Sequence, residues 1–262
     1  MRNRKAGFVS GFLLLAFFGA LLSCAMDTAP LQATGSLPQS ELAYYNDSFD
    51  KMREDLWEKA GYLYREEQMQ NFKLANMHFD NGRLIIRTKT DSFSKGGLSS
   101  KYVLGGDFDI QLNCKMHFIK GIYGMDQVFA MGVYDKSKKI GELTNVNIGL
   151  SMKGGAYQGF LFSNCFIDGK KRSANSQKIE NFDGTFRIQR SGKTIITSYG
   201  ENGKPEWIKM NAFRVTDKDM ALGFQLRNFL PKRTRIQASH SISVEFDSFR
   251  ITAAHEIIEE EI

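Results

Sequence analysis

The feature that most constrains the fold is a stretch in which apolar and polar side chains alternate, from Asp107 to Phe118. Its apolar positions are Phe108, Ile110, Leu112, Cys114, Met116 and Phe118. A period of two places one set of side chains on a buried face and the other set on a polar face of a β-strand. A helix, whose period is 3.6, cannot bury this pattern on one side. The stretch therefore predicts a strand with one face in the core.

Further segments show strand and turn chemistry. The tripeptide Asp80-Asn81-Gly82 predicts a tight turn that leads into a strand. Besides the alternating stretch, the predicted strands cover 83–88, 127–134, 143–152, 156–166, 184–190, 193–199, 219–227 and 241–252. Many short strands separated by turns indicate a sandwich or a barrel. No long helical segment interrupts them, which argues against a parallel α/β sheet.

One earlier segment has helical spacing. Phe49, Met52, Leu56 and Ala60 recur every three or four residues. The pattern predicts a short helix over 48–60, and an irregular entry segment is the alternative.

The N-terminus has the pattern of an export signal. Arg2, Arg4 and Lys5 precede an uncharged apolar run, 8–22, which is short for a membrane-spanning helix. The sequence that ends this run, Leu21-Leu22-Ser23-Cys24, resembles the lipobox of bacterial lipoproteins. That resemblance implies removal of the leader and acylation of Cys24. An ordinary signal peptide with a chance cysteine and an uncleaved anchor are the alternatives.

These boundaries give the predicted organisation and location. The segments are a signal peptide (1–23), lipidated Cys24 with a tether (24–40), a β-sandwich domain (41–255) and a frayed acidic tail (256–262). The lipid would make the membrane a partner and the cell envelope the location. Alanine, not aspartate, stands directly after Cys24, so the resemblance favours the outer membrane in a Gram-negative host.

Charge and cysteine content narrow the options further. The chain has 35 basic and 29 acidic residues, and three basic residues lie in the leader, which leaves 32 against 29. Without a clustered basic face, nucleic acid is not an expected partner. Cys114 and Cys165 remain beside Cys24. They could form one disulfide in an oxidising compartment, or they could be buried free thiols, which the apolar face around Cys114 favours.

Three groups of residues, in this order, resemble the concanavalin A-like lectin/glucanase superfamily. They are 81–86 with 98–101 and 106–110, then 186–195 continuing to Trp207, and finally the terminal strand 244–251. The resemblance implies an all-β fold, a jelly-roll sandwich of two curved antiparallel sheets. It also implies a concave face that often binds glycans. Function does not follow from fold alone.

Glycosidase and metal chemistry find little support in the sequence. Laminarinase-like members of the superfamily carry Glu-x-Asp-x-(x)-Glu on one strand, a spacing that is absent here. Asp107 and Asp109 are the nearest acids, and both are expected to be exposed at a strand edge. The histidines lack zinc-ligand spacing, and no cofactor is expected. A calcium ion held by Asp135, Asn145 and Asn147 is the remaining metal hypothesis.

A sugar-binding face is the leading candidate site. Strand alternation nominates outward-facing polar residues, namely Tyr134, Asn145, Asn147, Ser151, Tyr157, Ser163, Gln225 and Arg227. The same alternation turns Phe160, Phe162 and Phe224 toward the core. An ordinary solvated sheet face is the alternative. The first functional interpretation is a non-catalytic glycan-binding or adhesion module. The others are a glycoside-acting enzyme with an unrecognised active site and a structural lipoprotein that contacts envelope proteins.

Overall fold

The computed structural model describes residues 35–60, 72–137, 142–228 and 238–259. Within these residues the regular structure is almost entirely antiparallel β-sheet, as the sequence predicts. One short helix precedes the strands. The predicted leader, lipidated Cys24 and most of the tether lie outside the described residues.

The elements follow one another in this order. A helix α1 spans Gln39–Leu42, and a turn of 3₁₀ helix spans Ala43–Tyr45. The strands are β1 (Trp57–Lys59), β2 (Phe72–Leu74), β3 (Asn76–Phe79), β4 (Leu84–Arg87), β5 (Phe93–His117), β6 (Gln127–Tyr134), β7 (Asn145–Met152), β8 (Gly159–Ile167), β9 (Lys170–Ile179), β10 (Asn181–Ser191), β11 (Thr194–Glu201), β12 (Ile208–Arg214), β13 (Met220–Arg227) and β14 (Ser243–Glu259).

The long strand β5 belongs to both layers of the sandwich. Its first half pairs with β13, and its second half pairs with β10 and β14. The front sheet therefore runs β5-β13-β6-β7-β8-β9, with β1 and β2 on the other edge of β5. The back sheet runs β12-β11-β10-β5-β14-β4-β3. Apart from the pair of β2 and β5, all pairings among the described strands are antiparallel.

The core lies between the two sheets and is rich in phenylalanine. Phe129 of the front sheet stacks on Phe186 of the back sheet with ring centroids 5.9 Å apart. Phe186 in turn stacks on Phe182 at 4.4 Å. Buried aromatic pairs of this kind add about 0.5–1.5 kcal/mol each beyond the area they bury. A hydrogen bond of 2.6 Å between the Ser163 and Thr197 hydroxyls also joins the sheets.

The two cysteines in this core are free thiols and form no disulfide. Cys114 lies on β5 and Cys165 on β8, and both are buried. Burial raises the pKa of both thiols. Both side chains therefore stay protonated at neutral pH and pack as small apolar groups.

The helix predicted over 48–60 is wrong, because the segment begins with an irregular turn at Phe49 and ends in β1. Phe49 has a positive φ of 57°. The buried carboxylate of Asp47 holds this turn, since it accepts hydrogen bonds from the Phe49 backbone N–H at 2.7 Å and from Trp57 Nε1 at 2.8 Å. Burial raises the pKa of Asp47 against the opposing effect of these two bonds. The apolar residues at helical spacing instead belong to an entry segment that ends in β1.

Three details of the chain ends and edges differ from the sequence prediction. Five strands, β1, β2, β3, β9 and β12, were not predicted. Residues 256–259, predicted to be a frayed tail, continue β14. At the other end Leu37 already donates a backbone hydrogen bond to Ala254. Among the described residues no helix has the length and apolar character needed to cross a membrane.

Candidate functional site

The outward face of the front sheet contains a cleft of about 260 Å³. Its floor is made by small residues, because Gly223 of β13 and Gly132 of β6 lie opposite each other in register. Asn147 of β7 is the next residue in the same row. A Cβ atom on Gly132 would collide with Asn147 Oδ1, so the depth of the cleft depends on glycine at this position.

A row of asparagines forms one polar surface of the cleft. Asn147 Nδ2 donates to Asn145 Oδ1 at 2.6 Å and to Asn164 Oδ1 at 3.0 Å. This leaves the amide NH₂ groups of Asn145 and Asn164 without a partner among the described residues. Each can donate to a ligand oxygen, which is the planar polar contact that sugar hydroxyls require.

The aromatic wall of the cleft comes from β8. Phe162 and Phe166 line it, and both are half-buried. The predicted alternation of this strand was therefore wrong, because Phe160 and Phe162 face outward while Ser163 is buried in the core. The pairing with β7 determines which side chains of β8 face the core. Ser163 lies opposite Ile148, and both point inward. A shift of one residue reverses every side chain of a strand.

Gln225 contributes a polar group that has no partner. Its Oε1 atom is buried in the cleft wall and accepts no hydrogen bond from the described residues. An unsatisfied buried acceptor costs about 1–3 kcal/mol, so a hydroxyl that donates to it would gain a comparable amount. Tyr134 and Arg227 also line the cleft on either side of Gln225 in the sheet.

The structure brings together five of the eight residues nominated for the sugar-binding face. Tyr134, Asn145, Asn147, Gln225 and Arg227 all line the cleft. Ser151, Ser163 and Tyr157 do not, and Ser163 is buried in the core. Tyr157 lies apart from the cleft. It is 73% exposed and lies on the turn between β7 and β8, with its ring over Gly121. Neither tryptophan lines the cleft. Trp57 is buried in the core, and Trp207 packs over Arg187 on the back sheet.

The carboxylates are the groups that this site lacks. The Glu-x-Asp-x-(x)-Glu spacing would place acids at alternate positions of one strand, and β7 presents Asn145, Asn147 and Gly149 there. Among the described residues no Asp or Glu lines the cleft. Glu58 of β1 lies on the cleft side of the sheet, because it is opposite Ser99, a cleft residue, and directly opposed residues share a face of the sheet.

The predicted acids and the calcium set have other roles. Asp109, expected to be exposed, is buried in an ion pair with Arg187. Asp135 is also buried, and its Oδ1 atom accepts hydrogen bonds from the backbone and side chain of Ser137. It does not converge with Asn145 and Asn147. No group of three or more His, Cys, Asp or Glu residues that could hold a metal ion occurs in the described part of the chain.

Several solved structures that share this fold are glycoside hydrolases. A lichenase from a mouse hindgut metagenome superposes with a TM-score of 0.59 at 12% identity, covering 79% of this chain and 97% of that chain. The β-glucanase of Bacillus licheniformis gives 0.55 at 15%, covering 84% and 99%. A pseudo β-1,3-glucanase and immunostimulatory antigen of Mycobacterium tuberculosis gives 0.57 at 12%, covering 84% and 100%. No family model and no curated protein matches the sequence.

These likenesses establish the jelly-roll fold. They also correct the first functional interpretation of the sequence. A non-catalytic glycan-binding or adhesion module is contradicted by structural neighbours that are glycoside hydrolases. The predicted polar face of the front sheet is present and carries the cleft.

Proposed function

We propose that the protein is a glycoside-acting enzyme whose polysaccharide substrate lies in the cleft. The observation that carries this proposal is the pairing of the aromatic wall of β8 with the asparagine row over a glycine floor. The fold shared with lichenase and β-glucanase structures supports it.

Different cleft residues contact the apolar faces and the hydroxyl groups of a sugar chain. Phe162 and Phe166 offer apolar faces against which a pyranose ring can pack. The amides of Asn145 and Asn164 donate to sugar oxygens, and a sugar hydroxyl donates to Gln225 Oε1. A few fixed polar groups in an otherwise apolar concave site are the usual basis of orientation and specificity.

Bond cleavage requires a proton donor for the leaving oxygen, and we assign this role to Glu58. Its strand is two strand spacings, about 10 Å, from β13 at the cleft floor, and its register directs it to the cleft side. The amides of β7 replace the carboxylate pair of a retaining glycosidase. We therefore propose a single displacement. Glu58 protonates the leaving oxygen as its bond to the anomeric carbon breaks, and water held by the amides forms the new bond to that carbon. The water releases its extra proton to solvent, and Glu58 takes up a proton from solvent again.

The proposal predicts reducing-end release from polysaccharides. Purified protein is incubated with a panel of neutral and acidic glycans, and new reducing ends are measured. We expect turnover of at least one glycan, and about a tenfold lower kcat/KM for Phe162→Ala, because the stacking face is lost. Ile208→Ala, on the back sheet and 40% exposed, is the matched control and should leave turnover unchanged. Binding of a glycan without cleavage of any would contradict the proposal.

We also propose that the domain is exported and lipid-anchored. The support is the basic and apolar leader followed by Ser23 and Cys24. Metabolic labelling with a palmitate analogue in a Gram-negative host should mark the wild-type protein and not Cys24→Ala. Several acyl chains anchor stably where one binds only marginally, so the wild type should fractionate with membranes and Cys24→Ala should not. Unlabelled wild-type protein in the soluble fraction would exclude the anchor.

A further inference from the structure

From the charges that border the cleft, we infer that its substrate is an acidic glycan, a polysaccharide bearing carboxylate or sulfate groups. This inference rests on the proposed function and names the substrate class of the same cleft.

On strands β5, β13, β6, β7, β8 and β9, every charged residue on the cleft side of the front sheet is basic. Directly paired residues of antiparallel strands share a face, and this register identifies the outward positions of each described strand. The charged residues among them are Lys95, which is almost fully buried, and Arg227, Lys171 and Lys178. The one acid on this side, Glu58, belongs to β1, beyond β5.

The two lysines of β9 carry the inference. Lys171 lies opposite Phe166 and Lys178 opposite Phe160, so both stand on the side of the aromatic wall. The inward face of β9 is independently fixed, because Gln177 donates to the Tyr199 hydroxyl and Asn175 donates to the Met210 carbonyl oxygen at 2.8 Å. Lys171 and Lys178 are therefore directed away from the core.

Both lysines are exposed, and neither forms an ion pair within the described part of the chain. From Lys170 to Ile179 the strand β9 contains no acidic residue. Lys171 and Lys178 lie about 20 Å apart along the strand. Two cations at this spacing beside an aromatic wall would meet successive anionic groups of a polymer better than a neutral glycan.

The asparagine row fits the same substrate class. If residues 145 and 147 were acidic, their carboxylates would repel an anionic sugar. The NH₂ groups of Asn145 and Asn164 instead donate to an anionic oxygen as readily as to a hydroxyl. The asparagine row thus presents hydrogen-bond donors and no negative charge to the substrate.

The test compares the affinities of the full chain for glycans of different charge. Polygalacturonate supplies carboxylates, dextran sulfate supplies sulfates, and barley β-glucan is neutral. We expect at least one acidic glycan to bind about tenfold more tightly than the neutral one at low salt, and this preference to shrink as sodium chloride rises. The Lys171→Gln/Lys178→Gln double variant should lose roughly tenfold in affinity for the acidic glycan and none for β-glucan.

A matched double variant controls for net charge. Lys51→Gln/Lys209→Gln removes two exposed lysines that lie outside the cleft and should change neither affinity by more than about twofold. Equal loss in both double variants would show a general charge effect and overturn the inference. Cleavage or tighter binding of the neutral glycan would also overturn the inference. Cleavage of that glycan would still support the proposed enzymatic activity. Preferential binding of an acidic glycan without cleavage of any glycan would uphold the charge preference and reject the enzyme.

Discussion

Replacing Arg187 with methionine is expected to lower the free energy of unfolding by about 3–5 kcal/mol, because it leaves a buried carboxylate without its partner. Asp109 and Arg187 are both almost fully buried. Arg187 Nε donates to both carboxylate oxygens, at 2.9 and 3.1 Å, and the guanidinium lies 5.0 Å from the centroid of the Trp207 ring. Arg187 Nη2 also donates to Asp109 Oδ2, and Gln189 Nε2 adds a third donor at 3.2 Å. Urea unfolding followed by circular dichroism measures the effect.

Two further variants make this result interpretable. Lys193→Met breaks the exposed ion pair with Asp217, whose charged atoms lie 3.1 Å apart, and should cost less than about 1 kcal/mol. The double variant Asp109→Leu/Arg187→Met removes both charges, so it should be more stable than Arg187→Met alone. A single variant that loses no more than the Lys193 control would show that the buried pair does not contribute to stability.

Replacing Glu58 with glutamine is expected to reduce kcat about 10²–10⁴-fold on the glycan that the protein turns over. Glutamine keeps the shape of the side chain and removes the dissociable proton. Since Glu58 lies on the cleft side of the sheet opposite Ser99, binding of the substrate should persist and KM should change little. Steady-state assays of reducing-end release measure both parameters.

Glu54→Gln is the matched control for this experiment. Glu54 is exposed on the same entry segment and lies outside the cleft. Both variants should melt at the temperature of the wild-type protein. If Glu58→Gln keeps more than half of the wild-type kcat, Glu58 is not the proton donor, and the acid must be sought elsewhere in the chain.

The sequence predicts most of the sandwich because its strands bury one face. Strand β6 begins and ends where alternation predicts, from Gln127 to Tyr134. The turn at Asn81 and Gly82 has the two positive φ angles, 49° and 72°, that the residue pair favours. Strand β9 could not be found in this way. Nearly all of its side chains are exposed, so no apolar period marks it, and its pairing with β8 defines it.

The candidate site could be predicted only in part, for a related reason. On β13 and β7 one face is clearly apolar, and the cleft residues Gln225, Asn145 and Asn147 follow from alternation. On β8 both faces carry apolar residues, and alternation alone assigned the larger phenylalanines to the core. The register with β7 reverses this order, since Leu150 and Leu161 lie opposite each other in the core. A phenylalanine that faces outward beside a polar row has a role that periodicity cannot identify.

The position of β5 has a consequence for how the molecule comes apart. One continuous strand supplies hydrogen-bonding edges to β13 on one layer and to β10 and β14 on the other. Unfolding of either half of β5 breaks backbone hydrogen bonds to strands of both layers. Neither sheet can therefore unfold as a separate cooperative unit. The protein should melt in a single cooperative transition. Because its central pairings join residues far apart in the chain, it should also refold slowly for its length.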